Sequence, residues 1–266
     1  MTDSASPGTA IPGFDHAIVG VEDLEAARRV WTRLGFTLCP RGRHIGWGTA
    51  NYCVMFEHVY IELLGIVDPE QFTNNLDQRL AERGEGLLGM ALAGRDPAVT
   101  HAALEHAGAE PPRDLKRVLE LPGGDVTPEF NLVHLPATAA PGMSTFVCHH
   151  LTPELMRRPE WLRRSNGATG LVSAVVEVAD PGADAWAYGT TFGVEAVDGT
   201  TIRLGRHEVH LRAGARGLAA LTVAVADLSE AAERLDAEQV PYEEVLDVGL
   251  RVAAEDATGV DLVLQA

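Results

Sequence analysis

The chain has 266 residues, 46% of them hydrophobic and 22% charged, with a formal net charge of -17. That composition gives room for one large or two ordinary globular domains and excludes wholesale disorder. The acidity disfavours nucleic acid and anionic membranes as partners, since such a surface repels phosphate groups.

The polar opening MTDSASPGTAIPG lacks the basic and apolar regions of a signal peptide. No apolar run approaches the roughly 20 residues that span a bilayer. A cytoplasmic protein is therefore expected, with a loose tail of about a dozen residues at its start. The three cysteines, Cys39, Cys53 and Cys148, show no CxxC spacing. A disulfide framework or zinc ribbon is not expected from them.

The elements follow a repeated grammar. The first copy opens with the apolar run HAIVGV, which suits a buried strand. Asp23 then stands where a side chain caps a helix start. Leu24, Ala27, Val30, Trp31 and Leu34 follow at helical spacing, and Gly35 suits the left-handed position that ends the helix. Three strand-like runs complete the unit: FTLCP, ANYCVMF and VYIELLGIV.

The second copy begins at MALAG with Asp96 and continues through KRVLEL, EFNLVHL and STFVCHHL. The third begins at VVEVAD with Asp180 and offers TIRLG and EVHLRA. The fourth begins at LTVAVAD with Asp227 and closes with LRVAAED and VDLVLQA. The polar stretch LTPELMRRPEWLRRSNGATG separates the pairs. Two domains are expected, residues 1–165 and 166–266, in an α+β fold of four strand–helix–three-strand modules with mixed sheets. Within that connector, Arg157, Arg158, Glu160 and Trp161 read as a capped short helix joining the halves.

Three polar groups sit where a half-buried strand calls for apolar ones. His16 lies in FDHAIVGV, Glu62 in VYIELLGIV, and His149 with His150 in FVCHHLTP. A carboxylate inside an apolar strand is costly unless it is paired, hydrogen-bonded or bound to a metal. Strand alternation groups Phe146, Cys148 and His150 on one face, with His149 opposite. The loop PRGRHIGWGTANY adds Arg41, Arg43 and His44 as candidates for an anionic or enolate-like substrate group. It also offers Trp47 as a pocket wall and Asn51 as a hydrogen-bonding partner; a solvated hairpin turned at Gly42, Gly46 and Gly48 is the alternative reading of the same loop.

The stretches DHAIVGVEDLEAARRVWTRLGFTLCPRGRHIGWGTANYCVMF, YIELLG and FVCHHLTPELMRRPEW together resemble the vicinal oxygen chelate superfamily, and within it the glyoxalase-like domain proteins. The resemblance covers about the first 165 residues. It implies paired βαβββ modules forming a cup, with metal ligands from first and last strands. His16 and Glu62 are then ligands from the first module, and His150, or failing it His149, from the second.

Such a set of two histidines and a carboxylate suits iron, manganese, zinc, nickel or cobalt. Relatives of the glyoxalase type often add a ligand from the first strand of the second module, but LLGMALAG offers none. A three-residue site is therefore expected, nearer in ligand type to extradiol dioxygenases than to glyoxalase I.

The resemblance implies a metal-dependent enzyme acting on a small oxygenated molecule. Isomerase or lyase chemistry through a metal-stabilised enolate is the first expectation, with His44 as the proton-moving base. Ring-cleaving extradiol-type dioxygenation is the alternative, and a non-catalytic binding or resistance protein is the alternative of another class. The second half, with Glu177, His207 and His210, reads as a degenerate copy kept for packing, for covering the cup or for homodimer contacts.

Overall fold

The computed structural model describes residues 10–266. Most of the expected N-terminal tail lies outside the described residues; within them, Ile11 is already buried. The first half contains β1 (Gly13–Val21), α1 (Leu24–Arg33), β2 (Gly42–His44), β3 (Thr49–Met55) and β4 (Tyr60–Ile66). After α2 (Leu76–Arg83) come β5 (Gly86–Ala93), α3 (Pro97–Leu104), β6 (Arg113–Leu119), β7 (Glu129–His134) and β8 (Thr145–His150).

The second half contains β9 (Ala168–Val178), α4 (Pro181–Phe192), β10 (Thr201–Leu204), β11 (His207–Ala213) and β12 (Gly217–Val225). It ends with α5 (Leu228–Ala237), β13 (Glu243–Val245), β14 (Gly249–Val252) and β15 (Asp261–Gln265).

Each repeat starts for the same local reason. Asp23, Asp96, Asp180 and Asp227 all adopt extended backbone, and each side chain accepts from N–H groups of the first helical turn. A cap of this kind contributes about 0.5–2 kcal/mol. In the third repeat the first strand after the helix shrinks to an isolated bridge, Ala196 with Ile202. Helix α2 is an addition between the first two repeats that the repeat grammar did not anticipate.

The eight strands of the first half close into a barrel in the order β1-β4-β3-β2-β6-β7-β8-β5. The closing seam is short: Gly42, Arg43 and His44 of β2 stand opposite Leu119, Val118 and Arg117 of β6. The second half stays open, a seven-stranded sheet in the order β10-β11-β9-β12-β15-β14-β13.

The halves pack as one body. A single apolar cluster runs through both, and the Trp31 indole donates to Thr258 Oγ1 at 2.8 Å. The Phe14 N–H donates to His207 Nδ1 at 3.0 Å, and the two rings stack. Burial pushes His207 down to about 4, leaving that nitrogen free of a proton to accept. His207 is thus a structural residue between the halves. A second apolar cluster fills one end of the barrel, where Trp161 and Met156 pack under Leu119 and Phe130.

The repeats share one irregularity. Each first strand carries a bulge eight positions ahead of its capping aspartate, at Asp15, Leu88, Val172 and Ala219. A bulge places two residues of one strand against one of its neighbour and re-aims the side chains there. In β1 this turns Asp15 and His16 toward each other, with His16 Nδ1 2.7 Å from Asp15 Oδ2.

Candidate functional site

A cavity of about 110 Å³ lies inside the barrel, with His16, His44, Tyr60, Glu62, Arg117 and Cys148 among its walls. It opens through a mouth of about 390 Å³ that shares His44, Trp47 and His134 and adds Arg79 and Arg113. His16, His44, Glu62 and Arg117 are all buried.

His16 and Glu62 meet. His16 Nε2 stands 3.3 Å from Glu62 Oε2, while His16 Nδ1 is held by Asp15. Burial alone lowers a histidine, but the hydrogen bonds and charges of Asp15 and Glu62 outweigh it and raise His16 to about 9. Burial likewise raises Glu62, and His16, Arg117 and His44 overturn that and hold it at about 2. Asp15 is kept well below the ordinary carboxylate range, burial being outweighed by His150 and His16. Asn51 donates to Glu62 Oε1. Position 42 must be glycine for this, since a Cβ there would lie 2.3 Å from Asn51 Oδ1.

His44 faces the same space from β2. Its Nδ1 is 2.8 Å from Thr49 Oγ1, and its Nε2 has no hydrogen-bond partner among the described residues. Burial pushes His44 down to about 4, Glu62 opposing and Arg117 assisting. It is therefore a neutral imidazole at ordinary pH. Trp47 lies 5.4 Å from His44, ring to ring, and lines the mouth.

His150 does not join them. It shares the inward face with Cys148, as alternation requires, but its Nε2 sits 3.0 Å from Asp15 Oδ1, behind His16. Strand register explains the displacement. In the first repeat Ile18, five positions before the cap, stands opposite Glu62; in the second, Ala91 stands opposite Phe146. Phe146 is thus the counterpart of Glu62, and His150 lies four residues beyond it. The counterpart of His16 is Gly89, where any Cβ would lie 2.5 Å from the Ser144 carbonyl oxygen. His149 points the other way, its Nε2 3.0 Å from Thr100 Oγ1 beneath α3.

Arg41 and Arg43 also lie elsewhere. Both reach Glu120 on the outer surface, Arg41 at 2.9 Å and Arg43 at 3.5 Å. In β2 only alternate residues face inward, so His44 enters the barrel and Arg43 cannot. Asn51 is turned to Glu62 rather than left for a substrate. Asp15, Arg117 and His134 are site residues that sequence reasoning missed. Arg157, expected in a joining helix, sits between two short 3₁₀ turns and donates to the Glu57 carbonyl at 2.7 Å.

Among the described residues one group of three side chains has donor atoms close enough together to hold a cation. Asp15, Cys148 and His150 offer donor atoms within 4.8 Å of one another, but Asp15 there already receives both His16 and His150. The donor atoms of His16, His44 and Glu62 do not all come within that distance of one another; His16 and Glu62 stand at ligand spacing, and His44 lines the same cavity. Adjacent ligands with bonds of about 2.0–2.2 Å stand roughly 3–3.4 Å apart, the spacing of His16 Nε2 and Glu62 Oε2. Both imidazoles have Nδ1 engaged by a protein oxygen and Nε2 turned to the cavity. That is how the surroundings of a metal site commonly fix histidine ligands.

A family model described as a glyoxalase-like domain matches residues 14–192. No curated protein matches the chain. Among solved structures, a hypothetical protein from Staphylococcus aureus aligns with TM-score 0.69 at 15% identity, covering 95% of this chain and 98% of its own. A mutant 4-hydroxymandelate synthase from Streptomyces coelicolor aligns with TM-score 0.58 at 14% identity, covering 96% and 93%. A xylose isomerase-like TIM barrel/4-hydroxyphenylpyruvate dioxygenase fusion protein aligns with TM-score 0.60 at 18% identity, covering 91% of this chain and 41% of its own. At these identities the likeness is one of fold. Among the described residues no helix is long and apolar enough to cross a membrane.

Proposed function

The chain belongs to the glyoxalase-like domain family of the vicinal oxygen chelate superfamily, and from that premise we propose an enzyme acting on a small oxygenated molecule inside the first barrel, with a divalent cation held by His16, His44 and Glu62. One observation carries the reading: two imidazoles anchored at Nδ1 line one cavity with a buried carboxylate. When bound, such a cation supplies Lewis acidity toward two neighbouring substrate oxygens, which lowers the cost of an enolate.

The chain's own groups do the rest. Asp15 accepts from His16 Nδ1 and so leaves Nε2 for the cavity. Thr49 does the same for His44. Asn51 occupies Glu62 Oε1, which leaves Oε2 on the His16 side. Tyr60, Phe130 and Phe146 wall the cavity and exclude water. His134, where cavity and mouth meet, has an Nδ1 without a hydrogen-bond partner and is pushed down by burial. It is the neutral imidazole placed to accept a proton from substrate and return it, the balance of an isomerisation or a lyase step.

The test is metal analysis of purified protein, then incubation with small hydroxy-ketones and 2-hydroxy acids in heavy water. A chelatable metal at about one per chain, and solvent deuterium in substrate without oxygen uptake, are the expected results. Oxygen uptake would replace proton transfer with ring-opening or oxidative chemistry at the same residues. A protein that binds no divalent cation after reconstitution defeats the reading.

A further inference from the structure

We propose that Arg117 receives the carboxylate of the substrate, so that the barrel takes small organic acids. The inference rests on the reading above for the location of the chemistry, but on different side chains.

Arg117 is 2% exposed and lines the cavity. A guanidinium offers five N–H donors in a fork shaped for oxyanions, and it stays charged in proteins. Here its hydrogen-bond partners are sulfur. Nη1 and Nη2 lie 3.6 and 3.7 Å from Cys53 Sγ, and Nη2 lies 3.1 Å from Met156 Sδ. Nε has no partner at all. The nearest carboxylate oxygen, Glu62 Oε1, is 3.8 Å from Nη1, too far for a hydrogen bond, and already takes the Asn51 amide.

A buried cation with weak thiol and thioether acceptors is expensive, and a bidentate oxyanion is the partner that removes the cost. The lining charges agree. Glu62 lines the cavity with Arg117, and Asp15, behind His16, is already paired with His16 and His150. A divalent cation near Arg117 would add positive charge to the cavity, which an anionic substrate would neutralise. The cavity is small, so the acid end of a molecule fits inside while any remainder lies in the mouth, where Arg79 and Arg113 stand.

The experiment compares acids with their amides: glycolate with glycolamide, and lactate with lactamide. Binding is read by calorimetry and thermal shift on wild type, Arg117→Lys and Arg117→Met, each in metal-loaded and chelator-treated form. Wild type should bind the acids at least about tenfold tighter than the amides. Arg117→Met should lose the preference while keeping its metal content. Arg117→Lys keeps charge but not the fork, and should weaken acid binding by a similar factor; it carries the comparison if Arg117→Met does not fold.

Equal binding of acid and amide by wild type, or an acid preference that survives in Arg117→Lys at full strength, overturns the proposal. A preference for acids in protein that takes up no metal would instead sink the metal reading and leave this one standing.

Discussion

The two halves start from the same repeat and end in opposite states. The first closes into a barrel with a buried charged interior; the second stays an open sheet whose corresponding positions carry no comparable donor set. Position by position, the residue at the bulge, the residue after it and the residue on the neighbouring parallel strand that faces the position five before the cap are Asp15, His16 and Glu62 in the first repeat. They are Leu88, Gly89 and Phe146 in the second, Val172, Ser173 and His210 in the third, and Ala219, Ala220 and Val263 in the fourth.

The backbone device is kept four times and the chemistry once. In the second half Glu177 pairs with exposed Arg212 and Arg216 at 2.8 and 2.9 Å. A shared backbone irregularity therefore makes a site only where closure buries it.

The largest effect that sharpens this comparison comes from Glu62. Glu62→Gln keeps the size and removes the anion, and should abolish measurable metal retention while the protein stays folded. Metal analysis paired with thermal unfolding reads both; unchanged metal content takes Glu62 out of the donor set. Next, His44→Ala should lower metal affinity by at least about a hundredfold, whereas His150→Phe should leave it within a few-fold. The reverse result would restore His150 as the third ligand.

The pH dependence of chelator-treated protein tests Glu62 and His16. Glu62 ordinarily titrates at 4.5 and is held at about 2, so its stabilisation is present above 4.5 and lost as pH falls through 2. His16 ordinarily titrates at 6.5 and is raised to about 9, so its contribution is complete below 6.5 and lost as pH rises through 9. Unfolding free energy should plateau between those ordinary values and fall on both sides, each arm on the order of a few kcal/mol. A flat profile would mean the buried charges are not coupled.

Asp15→Asn should weaken metal binding by about 10–100-fold by loosening the His16 ring, measured by calorimetric titration. The smallest effect belongs to the other half. Glu177→Gln breaks solvent-side pairs and should cost about 1 kcal/mol or less in denaturant unfolding, with metal affinity unchanged.

Much of this architecture was legible in the residues. The capping aspartates and apolar runs announced the repeats, and His16 and Glu62 stood out because their strands are otherwise apolar. The rest depended on features that alternation alone does not encode. Asp15 reads as the polar start of a strand, and only the bulge brings it to His16. Arg117, in DLKRVLEL beside Lys116, reads as a surface charge until β6 closes the barrel against β2. His150 had the right face and the wrong height, because parity fixes which side a residue takes but not which rung. Arg41 and Arg43 were grouped with His44 as one loop, although β2 sends Arg43 outward and Arg41 pairs with Glu120.

The seam between β2 and β6 joins three pairs of residues, and the pair His44 with Arg117 is one of them. Two walls of the cavity are therefore carried by one of the shortest ladders in the barrel. Ladders of that length open at lower free energy than the long β1–β4 or β3–β4 pairings beside them. A ligand that bridges His44 and Arg117 would act as a rivet across the join, so that occupancy of the interior and mechanical integrity of the cylinder become the same quantity.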